Sequence, residues 1–157
     1  MSISDYSQRD LFFMQLAIAE ARKALVLGEM PIGCVIVSSD LQICATGYNR
    51  NIIDHDPTHH AEIVATSMYC QSLKNYRFPK ETTMYVTLEP CMMCVGALLH
   101  ARLTRLVVGA RDSRAHSIHQ TVDLFAGKHF NHKISVEYGV CELECQELLT
   151  SFFKERR

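Results

Sequence analysis

No stretch of this chain is apolar over the roughly 20 residues that a membrane-spanning helix requires, so no membrane protein is expected. The opening decapeptide is polar and lacks the basic-then-apolar order of a secretory leader, which suggests a reducing, cytoplasmic setting. Internal repeats, low-complexity tracts and Pro/Gly/Ser-rich linkers are also missing, which excludes solenoids and leaves no composition break at which to divide the chain. Nor is there an excess of charge of either sign. Sixteen Lys and Arg against 17 Asp and Glu give a net charge of −1, which is not the bulk signature of a nucleic-acid binder. A local basic stripe remains open, with Lys154-Glu155-Arg156-Arg157 as its candidate edge. A solvated helix end is the competing reading of that tail.

What is present fits one globular domain over residues 1–157, because a chain of this size buries about two-thirds of its unfolded surface. The seven cysteines are odd in number and follow no leader, which argues against a disulfide framework. Most read as small buried hydrophobes. Only Cys91-x-x-Cys94 has the spacing of a metal site.

Hydrophobic periodicity alternates along the chain. Ser7 to Leu27 reads as an amphipathic helix with a stripe of Leu11, Met14, Ile18, Ala21 and Leu25, stopped at Gly28. Cys34–Val37 and Leu41–Tyr48 flank a polar turn and suggest a hairpin. A polar loop leads to a helix over about His59 to Gln71, for which Thr58 is a candidate N-cap. A strand over Thr83 to Glu89 is broken by Pro90, and a helix follows from about Cys91 to Ala101. Arg105–Ala110 and Ile134–Tyr138 read as strands, and Thr121–Ala126 as a short helix. Leu143, Leu148, Leu149, Phe152 and Phe153 form the apolar face of a last helix. Strands interleaved with helices predict a layered α/β domain, with the later strands parallel through crossover helices.

The chemistry concentrates in His60-Ala61-Glu62 and Pro90-Cys91-Met92-Met93-Cys94, each opening a predicted helix. Two thiolates and an imidazole suit Zn²⁺, and helix N-termini favour thiolate over thiol. Cys91 and Cys94 lie one turn apart, so both sulfurs can face one ion. Three ligands rather than four leave a position for water. Two thiolates also make the metal a weaker acid, so a nearby base matters. Glu62 is placed to take a proton from the attacking water, pass it to a ring nitrogen, and later protonate departing ammonia. Such acid–base catalysis gives about 10²–10⁴-fold. A structural zinc site, completed by His59, Cys34, Cys70, Cys141 or Cys145, is the competing reading; it leaves Glu62 without a role. Cys141-x-x-x-Cys145 reads as core packing, and Met92 and Met93, between the two cysteine ligands, read as packing residues. His55 and His59 read as loop residues beside the site. His116, His119, His129 and His132 are spaced irregularly and suit surface or substrate-contact roles.

The pairing of H-x-E with P-C-x-x-C is the zinc deaminase signature. Over nearly its whole length the chain resembles the bacterial tRNA-specific adenosine deaminases (the TadA family). The resemblance rests on Glu29-Met30-Pro31-Ile32-Gly33, Gly47-Tyr48-Asn49-Arg50, His55 to Glu62, and Tyr85 to Cys94. Gly109-Ala110-Arg111-Asp112, Phe130-Asn131-His132 and the ending Leu148 to Arg157 carry it further. It implies a cytidine-deaminase-like three-layer α/β fold, a mixed sheet of about five strands flanked by helices. It also implies one zinc ion per subunit, held by His60, Cys91 and Cys94, with Glu62 as proton shuttle. The implied reaction is adenosine to inosine at the wobble position of a tRNA anticodon, by a homodimer that binds the anticodon stem–loop. Asn49 would contact the flipped nucleotide, and Asp112 and Asn131 would line the nucleic-acid side of the pocket. Asn49 also reads as a turn residue after a strand. Arg50, Arg111, Arg114 and the C-terminal arginines would meet the RNA. Residues 113–121 depart from the family's small, Gly/Ala-rich segment, being bulkier and more polar, which bears on substrate choice. The rival activity is deamination of a free base or nucleoside, of guanine or cytosine type, by the same chemistry.

Overall fold

A computed structural model describes residues 7–112 and 130–157. Helix α1 (Gln8–Val26) is capped by Ser7, whose hydroxyl accepts from the Asp10 amide, and ends at Leu27 with Gly28 turning away at φ +77°. Then come β1 (Gly33–Val37), β2 (Ile43–Tyr48), α2 (Ala61–Leu73), β3 (Thr83–Leu88), α3 (Met92–His100), β4 (Arg105–Ala110), β5 (Ser135–Tyr138) and α4 (Glu142–Glu155). The expected short helix at 121–126, the atypical 113–121 segment, Arg114, His116, His119 and His129 lie outside the described residues.

The sheet order is β2-β1-β3-β4-β5. β1 pairs antiparallel with both β2 and β3, while β3, β4 and β5 run parallel. Among the described strands β1 alone is therefore reversed. The other four send their C-terminal ends to the same sheet edge, where ligands of open α/β sheets bind. The hairpin and the β3-to-β4 crossover through α3 match the periodicity, since parallel strands need a crossover connection; the connection from β4 to β5 runs through residues outside the described ones. β1 is buried throughout, as are β3 and β4 after their first residues, whereas the edge strands β2 and β5 alternate in exposure.

Successive β1 residues show why the fold has three layers. A Cβ on Gly33 would lie 2.2 Å from the Ala17 carbonyl oxygen of α1, so only glycine permits that approach. The next residue, Cys34, faces the other way and bonds the Ala61 carbonyl of α2. Alternation along one strand thus places α1 and α2 on opposite faces. Cys145 of α4 packs beneath Gly109 on the α1 side. This is the expected α/β three-layer, cytidine-deaminase-like architecture.

Three local expectations are corrected. Thr58 does not cap α2; its hydroxyl and amide both bond Asp56 Oδ1, and the helix begins two residues later behind His60. Met92 and Met93, expected as packing residues, stand 50% and 38% exposed on the first turn of α3. Leu143 is 75% exposed and takes no part in the buried face of α4, which is carried by Cys145 and Phe152 with Leu148 and Leu149 packed alongside.

Candidate metal centre

β2 and β3 end at the same sheet edge, and the helices that follow them begin side by side. His60 is the N-cap of α2 and Cys91 the N-cap of α3. N-cap side chains ordinarily satisfy a free amide of the first turn. Neither does so here, because the two are turned toward each other. His60 Nδ1 lies 3.5 Å from Cys91 Sγ and 3.5 Å from Cys94 Sγ. All three donor atoms fall within 4.8 Å of one another. Zinc bonds of about 2.3 Å to sulfur and 2.0 Å to nitrogen at a tetrahedral angle put N and S about 3.5 Å apart. The donor set and its spacing therefore fit one zinc ion.

The protonation pattern suits a cation. Hydrogen bonding from the Cys94 thiol and from His60 outweighs burial and holds the Cys91 thiol down at about 4. Cys94 is driven far up, first by its bond to Cys91 and then by burial. His60 is raised, chiefly by its bond to Cys91. One thiolate is thus favoured by its neighbours, and a divalent cation held by His60, Cys91 and Cys94 would favour loss of the proton from the second.

Glu62, in the first turn of α2, is 4% exposed, and burial pushes its carboxyl up to about 7. The same carboxyl interacts with the Cys94 sulfur. A group poised there near neutrality can both accept and return a proton.

The possible fourth ligands are engaged or placed elsewhere. Among the described residues the cluster contains three members. His59 is paired with Asp54 at 2.8 Å and Asp56 at 3.3 Å. The Cys34 thiol donates to the Ala61 carbonyl. Cys145 is core, Cys141 stands at the N-cap position of α4, and Cys70 lies toward the far end of α2.

Asn49 is 4% exposed, and its Oδ1 accepts from the Ala61 amide at 3.0 Å. Its Nδ2 holds Asn51 at a long 3.4 Å. Asp112 is half-buried and its amide donates to Glu89. Asn131 lies in the exposed stretch ahead of β5, and the neighbouring His132 ring bonds the Leu103 carbonyl. Arg50 is held by Asp54 and the Tyr48 hydroxyl. Arg111 and Asp112 line a groove of about 630 Å³ together with Phe153, Lys154, Arg156 and Arg157. Leu88 and Ala110, the last residues of β3 and β4, line it as well.

Sequence reasoning placed Glu29 in a segment that carries the resemblance but gave it no role. This buried carboxylate accepts the Ile52 and Ile53 amides, each at 2.8 Å, and so anchors the loop that delivers His60. Its partners lie 23 and 24 residues away, beyond any local pattern.

Residues 7–110 match the cytidine and deoxycytidylate deaminase zinc-binding region. The tRNA-specific adenosine deaminase of Haemophilus influenzae is 42% identical over 96% of this chain and 87% of its own length. A solved structure from studies of A-to-I editing by tRNA:A34 deaminases at the wobble position of transfer RNA has 40% identity and a TM-score of 0.81, covering 88% of this chain and 99% of that one. A guanine deaminase from Nitrosomonas europaea is similar in fold alone, with 20% identity and a TM-score of 0.76 over 90% of this chain and 83% of that one. The chain belongs to the cytidine and deoxycytidylate deaminase zinc-binding family and, within it, to the tRNA-specific adenosine deaminases.

Proposed function

We propose that this chain, as one catalytic domain, converts adenosine to inosine at the wobble position of a tRNA anticodon. It is a hydrolase of a nucleobase C–N bond. The observation that carries the reading is the meeting of His60 Nδ1 with two cysteine sulfurs at zinc-ligand spacing, with the buried carboxyl of Glu62 beside them. Zinc, when bound, supplies an activated water at neutral pH. Glu62 would take one proton from the attacking water and deliver it to a ring nitrogen of the adenine while the water oxygen bonds the amino-bearing carbon. It would then move the remaining proton of that new hydroxyl to the amino group, which leaves as ammonia as the carbonyl forms. Burial keeps this carboxyl near 7, so it exchanges protons in both directions at physiological pH.

The substrate side draws on the groove beside α4. Arg111, Lys154, Arg156 and Arg157 line this groove together with an aromatic residue, Phe153; cations hold phosphates and rings stack unpaired bases. An adenine in an anticodon loop must leave its stack to be deaminated. On this reading Asp112 and Asn131 line the nucleic-acid side. Asn49, whose Nδ2 is only loosely held, contacts the inserted nucleotide. We further read the enzyme as a cytoplasmic homodimer; among the described residues no helix is long and apolar enough to cross a membrane.

Mass spectrometry of an anticodon stem–loop after incubation tests the proposal. The expected result is a one-dalton gain at the wobble adenosine. Ammonia release from free guanine or cytidine, with the stem–loop unchanged, would replace this reading by that of a free-base deaminase.

A further inference from the structure

Ala61 separates the histidine of the metal site from Glu62, and both of its peptide planes are held from outside the helix. The Ala61 N–H, which belongs to the plane shared with His60, donates to Asn49 Oδ1 at 3.0 Å. The Ala61 carbonyl, which belongs to the plane shared with Glu62, accepts from the Cys34 thiol at 3.1 Å. Asn49 follows β2 and Cys34 belongs to the central strand β1. A third contact closes the arrangement: a Cβ on Gly47 would stand 2.4 Å from the same Ala61 oxygen. Cys34 and Gly47 are register partners across the β1–β2 ladder, so the thiol and the bare backbone meet this carbonyl from neighbouring strands.

First-turn amides have no partner within the helix, and His60 makes no side-chain capping bond. Asn49, 12 residues upstream, supplies the missing acceptor. Fixing both planes fixes the backbone torsions of Ala61, and with them the direction of Glu62 relative to His60. Displacements of about 1 Å at such a centre can cost about 10²-fold in rate.

We propose that Cys34 and Asn49 are positioning residues, which clamp the Ala61 peptide from two sides and set the spacing between the metal ligand and the proton carrier. The role rests on the deaminase reading above, since Cys34 is fully buried and acts only through the backbone it holds. It gives this cysteine a task other than packing.

The test uses the full-length zinc-loaded enzyme with the variants Cys34→Ala, Cys34→Ser and Asn49→Ala. Amide exchange of Ala61, followed by NMR, reads the clamp without reference to catalysis. The wild-type amide should be protected despite its place in the first turn, and Asn49→Ala should speed its exchange at least about tenfold. Cys34→Ala should lower kcat on the stem–loop about tenfold or more, with KM within about twofold. Cys34→Ser, which keeps a donor, should recover most of that loss. In the cobalt(II)-substituted protein the visible bands should shift in Cys34→Ala and return toward wild type in Cys34→Ser. Equal kcat in Cys34→Ala and wild type would overturn the proposal, as would Cys34→Ser proving no better than Cys34→Ala or rapid exchange of Ala61 in the wild type. If the wild type leaves RNA untouched, the proposed substrate fails, while the exchange and cobalt measurements still decide the clamp.

Discussion

His60 Nδ1 and Cys91 Sγ stand 3.5 Å apart, and each belongs to the residue that opens its own helix. The side chains that would ordinarily close two helix ends face one another instead. Chain entry into α2 and α3 and construction of the metal site are thus the same structural event.

Substitutions at this centre should separate metal binding from proton transfer. Cys91→Ser should lose zinc, measured by metal analysis after dialysis against a weak chelator. Glu62→Ala should keep zinc and lose about 10²–10⁴-fold in turnover. Full activity in Glu62→Ala would remove the proton shuttle from the mechanism.

The Asp10–Arg105 pair should make stability depend on acid pH. Arg105 Nη1 and Nη2 donate to the two Asp10 oxygens at 2.9 and 2.8 Å, and the Tyr85 hydroxyl donates at 2.7 Å. Burial raises the Asp10 carboxyl, but the bonds from Arg105, Tyr85 and Ser7 outweigh it and hold the group at about 2, below its ordinary 3.8. The unfolded chain therefore binds the proton first as pH falls. The stabilisation, about 2 kcal/mol, is complete above the ordinary value and disappears on the way down to about 2. Denaturant titrations across this window should show a steeper loss for the wild type than for Asp10→Asn, which should already be less stable near neutrality. Parallel curves would contradict the assignment.

Gly33→Ala should weaken the whole fold. Its new methyl would meet the Ala17 oxygen at 2.2 Å and the Ala21 nitrogen at 2.4 Å, both backbone atoms that cannot rotate aside. Separating α1 from β1 should cost about 1–3 kcal/mol, read as a lower denaturation midpoint with an unchanged slope. A variant as stable as the parent would mean that the helix shifts freely.

Lys154→Ala and Arg157→Ala should act on RNA rather than on chemistry. Both residues line the groove beside β4. If each meets one phosphate, its loss should raise KM for the stem–loop, leave kcat nearly unchanged and reduce the salt dependence of binding by about one unit of slope. A salt slope identical to wild type in both variants would place the RNA elsewhere.

The strands and helices were legible because their periodicities are strong and their neighbours close in sequence. The metal ligands were legible for a different reason: His60, Cys91 and Cys94 carry their chemistry in residue type and spacing. Features that depend on distant partners were not. Cys34 reads as a small buried hydrophobe, and nothing local reveals that its thiol meets a carbonyl 27 residues away. Thr58 has the composition of a cap, but Asp56 captures it first in a tighter turn. The methionines between the two cysteine ligands look like core by hydropathy. They are exposed because Cys91 and Cys94 already claim the inward side of that turn.

β2 and β3 share a heading because each pairs antiparallel with β1 between them. Grafting the two short motifs onto another scaffold would therefore require two strands of like heading with one strand between them. On directly adjacent antiparallel strands, the imidazole and the sulfurs would emerge at opposite margins, and no choice of linker between them would restore the meeting.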